Sequence, residues 1–141
     1  MFAQDRETLR RTFAEAWNRY KAGLPLEPQQ DLVGKVVALH PEYQALLEGQ
    51  EALEADYDGA DGQTNPFLHM SLHIAVREQL GLDRPPGVRA VFDTLLARLQ
   101  DLHRVEHEMI ECLAAELWQA QRDARAPDEQ AYLTALGQLQ P

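Results

Sequence analysis

Apolar residues recur along this chain at intervals of three and four, and no stretch alternates apolar with polar positions. That is the period of an α-helix and not of a strand. Leu9, Phe13, Ala16 and Tyr20, with Trp17 at the edge, form the stripe of a first helix from about Asp5 to Lys21. Asp5 and Arg6 fall near the same face, and Gly23 and Pro25 end the helix. Pro28 opens a second helix with the stripe Val33, Val36, Val37 and His40. Its Gly34 and its valines weaken helix propensity, so this segment depends on packing. His40 precedes Pro41, and the residue before a proline avoids the α region. The helix therefore breaks there, and His40 becomes a cap residue whose ring can bond a nearby carbonyl.

Pro41 starts a third helix with Tyr43, Leu46 and Leu47; Gly49 interrupts the pattern, and Leu53 and Tyr57 resume it. The run DYDGADGQTN is the main loop. Its spacing departs from that of a calcium-binding loop, so Asp56, Asp58 and Asp61 read as solvated acids. Asn65 and Pro66 are cap and first residue of the next helix, which ends near Gly81. After the connector LDRPPG, no Pro or Gly occurs from Val88 to Ala126. The stripe Val88, Phe92, Leu95, Leu99, Leu102, Glu106, Ile110, Leu113 and Leu117 stays in phase. It predicts one long helix near residues 88–125, about 55–60 Å in length, with Asp101 suited to cap a kink near Gln100. Pro127 and Asp128 begin a last short helix carrying Tyr132, Leu133 and Leu136. The expectation is an all-α single domain over residues 1–141, a compact bundle of five or six helices.

Within this pattern some polar residues lie on apolar faces. At about 100° per residue, His69 and His73 share a stripe with Leu72, Val76 and Leu80. Glu106 lies in the stripe of the long helix, with His103 inside it and His107 on its shoulder. Four of the five histidines thus form two His-Xaa-Xaa-Xaa-His pairs. Residues four apart on a helix lie one above the other, so each pair can share one metal ion. Two such helices facing each other would bring His69, His73, His103, Glu106 and His107 together. Imidazole suits zinc or iron, and the carboxylate extends the choice to manganese. The Glu-rich pattern of a carboxylate-bridged two-metal site is missing, which favours a single ion. The alternative is a metal-free buried network in which these residues and Arg77 satisfy one another.

Composition narrows the classes further. A formal net charge of −10 argues against nucleic-acid binding, which needs a basic surface. No apolar run reaches a membrane span and the first residues lack a leader's apolar core, so the expectation is a cytoplasmic protein with no membrane partner. One cysteine, Cys112, excludes a disulfide framework and a cysteine-rich metal site. No Gly-rich phosphate loop appears, so no nucleotide cofactor is expected, and no nucleophile–base signature names a reaction. Trp118 with the C-terminal Tyr132 would suit a homodimer or another protein partner, with cover by the last helix as the plainer account.

The runs MFAQDRETLRRTFAEAW, HPEYQALLE, NPFLHMSLHIAVREQ, DRPPGVR, HRVEHEMIECLAAELWQAQR and PDEQAY carry a resemblance over almost the whole chain. They resemble an uncharacterised proteobacterial family, domain of unknown function 1841. The family pattern matches His69, His73, Glu78, His103, Glu106, His107, Glu111 and Cys112. The resemblance implies a small cytoplasmic protein of unassigned activity and supplies no mechanism.

Overall fold

The computed structural model describes residues 3–49 and 66–139, with side chains from residue 7 onward. The side chains of Asp5 and Arg6, the positions of Leu53 and Tyr57, the acidic loop and Asn65 lie outside that range. The described residues are all-α. They form seven helices: α1 (Ala3–Ala22), α2 (Pro28–Ala38), α3 (Pro41–Glu48), α4 (Pro66–Leu82), α5 (Val88–Leu99), α6 (Leu102–Arg122) and α7 (Glu129–Gly137). The expected five or six is corrected to seven because the long helix is two. Gln100 takes a left-handed conformation (φ 57°, ψ 27°), which cannot continue a right-handed helix. Asp101 then starts α6 as its N-cap, accepting the Arg104 N–H at 3.1 Å.

The chain divides into two compact units, Met1–Ile74 and Ala75–Pro141. In the first, α1 packs on α2 and α3, and α2 packs on α3. Its core joins Phe13, Ala16 and Trp17 of α1 to Val33, Val36 and Val37 of α2, with Tyr43, Leu47, Phe67, Met70 and Ile74. The α1 stripe is rotated from the expected one: Leu9 is exposed, while Arg10 is buried with its guanidinium 4.6 Å from the Phe67 ring centre. A cation can be buried this way because the ring face carries negative potential. Glu27 leads α2 with its backbone N–H donating to Gln30 Oε1 at 3.0 Å. Leu39 caps α2, and His40 is the N-cap of α3 with Pro41 as its first residue, as the proline rule requires.

In the second unit α5, α6 and α7 pack on one another. Val88, Leu95, Leu99, Val105, Met109, Ile110, Tyr132 and Leu136 are buried. Here too the α6 stripe departs from expectation: Leu102 and Leu117 are exposed, and Val105 and Met109 take the inner positions. The break at Gln100 resets the helical phase, so a stripe counted through it drifts off the core face. Polar groups close the helix ends. Arg89 donates from Nε to Leu80 O and from an Nη to Gly81 O, at 3.1 Å each, closing the end of α4. Arg98 reaches the carbonyls of Gly137 and Leu139. Asp128 caps α7 through the Ala131 N–H, and Glu116 accepts from the Asp128 N–H and from Arg125. Trp118 is 61% exposed and so is not covered by the last helix; its ring faces the Arg122 guanidinium at 5.5 Å.

Gly34 shows where α1 and α2 meet most closely. A Cβ added there would lie 2.5 Å from Tyr20 Cγ and 2.8 Å from Tyr20 Cβ. Gly34→Ala should therefore destabilise the protein, overpacking of about 1–3 kcal/mol outweighing the ~1 kcal/mol that alanine gains in helix propensity. Urea unfolding checks this: a raised midpoint for Gly34→Ala would show that the two helices do not approach as described.

Candidate metal centre

The first unit places three imidazoles together. His40 sits at the α2–α3 break, and His69 and His73 lie one turn apart on α4. His40 and His73 are buried, and His69 is half-buried. Ring centres are 4.5 Å apart for His40–His73, 4.7 Å for His69–His73 and 6.3 Å for His40–His69. Each ring presents a nitrogen, and these nitrogens lie within 4.8 Å of one another.

The proton positions follow from the partners. His40 Nδ1 lies 2.7 Å from the carbonyl oxygen of Val36. A carbonyl only accepts, so Nδ1 carries the proton, and in the neutral ring Nε2 carries the lone pair. A metal-ligating histidine commonly has its other ring nitrogen held in this way. His73 Nε2 and His69 Nε2 are 3.1 Å apart, so in the metal-free protein one donates to the other. Two nitrogens bound to one ion at 2.0–2.1 Å in a tetrahedral arrangement are about 3.3 Å apart. The pair therefore needs little movement to exchange a shared proton for a shared cation. Tyr43 stacks on His40, centres 4.7 Å apart at 22°, and lies 6.1 Å from His69. Burial, and then the Glu42 charge, pushes the Tyr43 phenol up to about 12, so near neutral pH it keeps its proton.

In the second unit Glu106 is buried in a forked pair with Arg77. Nε donates to Oε1 at 3.0 Å and Nη2 to Oε2 at 3.3 Å. The side chains are 24% and 8% exposed, so the carboxylate is the buried partner. His103 and His107 stack edge to face with centres 4.1 Å apart; His103 is exposed, against the expectation that it lies inside the stripe, and His107 is half-buried. Cys112 is half-buried, and burial with the charges of Glu108 and Glu111 pushes its thiol up, away from a reactive thiolate.

Of the predicted residues, His69 and His73 come together as a pair, as do His103 and His107, while Glu106 takes Arg77. The residue that the two-pair motif missed is His40, which has no partner four residues away. Its signals were its place in the stripe with Val36 and Val37 and the proline after it.

A family model described as a domain of unknown function, DUF1841, matches residues 5–138. No curated protein and no solved structure matches the chain.

The Arg77–Glu106 fork makes a stability prediction. Arg77→Leu strips the fork from a buried carboxylate and should cost about 3 kcal/mol, the low end for such a loss because Arg77 is partly exposed. Arg77→Leu combined with Glu106→Leu should be clearly less destabilised than the sum of the two single variants. Additive losses in a double-mutant cycle would mean that the two side chains do not act as a pair.

Proposed function

We propose that this chain, which belongs to the DUF1841 family, binds one transition-metal ion through His40, His69 and His73. The observation that carries the proposal is the close set of ring nitrogens, with Nε2 of His69 and His73 3.1 Å apart. The carbonyl-held ring of His40 supports it, because that hydrogen bond presents Nε2 as the ligand atom. Imidazoles at this spacing can exchange a ring-to-ring hydrogen bond for bonds to one shared ion.

The proposal extends to the second histidine pair. His103 and His107, one turn apart on α6 with ring centres 4.1 Å apart, form a second candidate donor pair of their own within the second unit. The ion would act as a structural tie or as a Lewis acid toward a small ligand in a remaining position.

Two contacts favour a second reading. The His69–His73 contact and the Arg77–Glu106 fork already satisfy polar atoms without an ion. In that reading the chain is a metal-free interaction module held by a buried His/Glu network. No helix among the described residues is long and apolar enough to cross a membrane.

Elemental analysis of protein purified without an affinity tag decides between the two. The metal reading expects close to one ion per chain. For apoprotein, adding the ion at about a hundred times its Kd should stabilise the fold by ~2.7 kcal/mol. His69→Ala and His73→Ala should abolish that gain. Protein that carries no metal and whose unfolding is indifferent to zinc, iron and manganese would establish the metal-free reading.

A further inference from the structure

Resting on the metal reading above, we infer that the site is a nitrogen-only centre that selects zinc-like ions and rejects manganese and magnesium. The sequence left the choice among zinc, iron and manganese open because it offered a carboxylate beside the imidazoles. Two features of the side chains remove that ambiguity.

First, the three clustered donors of the first unit are all imidazoles. Second, the buried carboxylate that the sequence offered is engaged by both arms of the Arg77 guanidinium, at 3.0 and 3.3 Å. Recruiting this carboxylate to an ion would weaken a charge-assisted fork, which disfavours it as an additional ligand.

A donor set without anionic oxygen discriminates strongly. Magnesium and manganese prefer oxygen ligands in octahedral shells, and magnesium gives up its waters reluctantly. Affinity for nitrogen sites rises from manganese through iron, cobalt and nickel to copper, with zinc well above manganese. The spacing adds a geometric preference. The 3.1 Å between His69 and His73 Nε2 is close to the ~3.3 Å edge of a tetrahedral zinc site. The ring of His40 is fixed by Val36 O and by the Tyr43 face, so the set is partly formed before the ion arrives.

Competition titrations of tag-free apoprotein with zinc, cobalt and manganese test this, each read against a chromophoric chelator. Zinc should bind at least about 100-fold more tightly than manganese. Cobalt should give the intense visible absorption of a four-coordinate ion, and magnesium in millimolar excess should not displace zinc. Glu106→Gln should leave zinc affinity within about twofold, whereas His40→Ala should weaken it at least about tenfold. The ion panel needs no variant, so poor folding of His40→Ala would not leave selectivity undecided. Manganese within tenfold of zinc would overturn the inference while leaving the metal reading intact. So would a Glu106→Gln loss as large as that of His40→Ala, which would put the carboxylate in the ligand set. Failure of every ion to bind would instead overturn the metal reading itself.

Discussion

One hydrogen bond, from His40 Nδ1 to the carbonyl of Val36, connects the fold of the first unit to its chemistry. Pro41 cannot continue α2, so the last carbonyls of that helix need partners from elsewhere. The His40 ring turns back onto the Val36 carbonyl, which also accepts from the Leu39 N–H at 3.2 Å. The same bond fixes which nitrogen holds the proton and which way the ring faces. Tyr43, in the first turn of α3, then stacks on the fixed ring. The break between the two helices therefore orients a buried imidazole toward His73 and His69. Replacing Val36 by another aliphatic residue would keep the carbonyl and the tautomer, whereas changing Pro41 would disturb both helix ends together.

The buried carboxylate follows a different rule. A buried charge needs a counter-charge and hydrogen bonds, and Glu106 obtains both from Arg77. His69 and His73 instead meet through a ring-nitrogen contact of 3.1 Å. These are two ways of burying polar atoms, an ion pair and an imidazole contact. Only the imidazole contact can be exchanged for a shared cation at low cost, because breaking the ion pair would leave a buried carboxylate without its counter-charge. This asymmetry separates the residues that the sequence grouped together: an imidazole on an apolar face is available chemistry, and a forked carboxylate is committed structure.

How far the sequence was readable depended on whether a signal was local. Pro28, Pro41, Asp101 and Asp128 announce helix starts through the backbone rules of one or two residues, and α2, α3, α6 and α7 begin where these residues stand. The pairing of His69 with His73 was equally local, being one turn of one helix. The stripe through residues 88–117 was not. Its apparent continuity concealed the left-handed Gln100, a residue with no strong turn preference, and the phase error placed Leu102, His103 and Leu117 inside when they are exposed. The roles of Arg10 and His40 are non-local for a related reason. A buried arginine depends on an aromatic face, Phe67, far away in sequence. A lone histidine gains its meaning from helices that meet only after folding.

These distances in sequence also bear on what the site can do. His40 and His69 are brought together by packing between elements, whereas His69 and His73 are held by one helix. An ion bound only by the helical pair would stabilise a single turn of α4. An ion that also takes His40 would tie α4 to the α2–α3 break and so stabilise the packing of the first unit. Binding and folding of that unit would then be linked. The three-imidazole arrangement thus predicts more than occupancy: metal affinity should fall with any change that displaces α2 within the first unit, even one that alters none of the three histidines. Gly34→Ala, which pushes α2 off α1 without touching a histidine, separates the cases. A helical-pair site would keep its affinity in that variant, and a packing-dependent site would lose it.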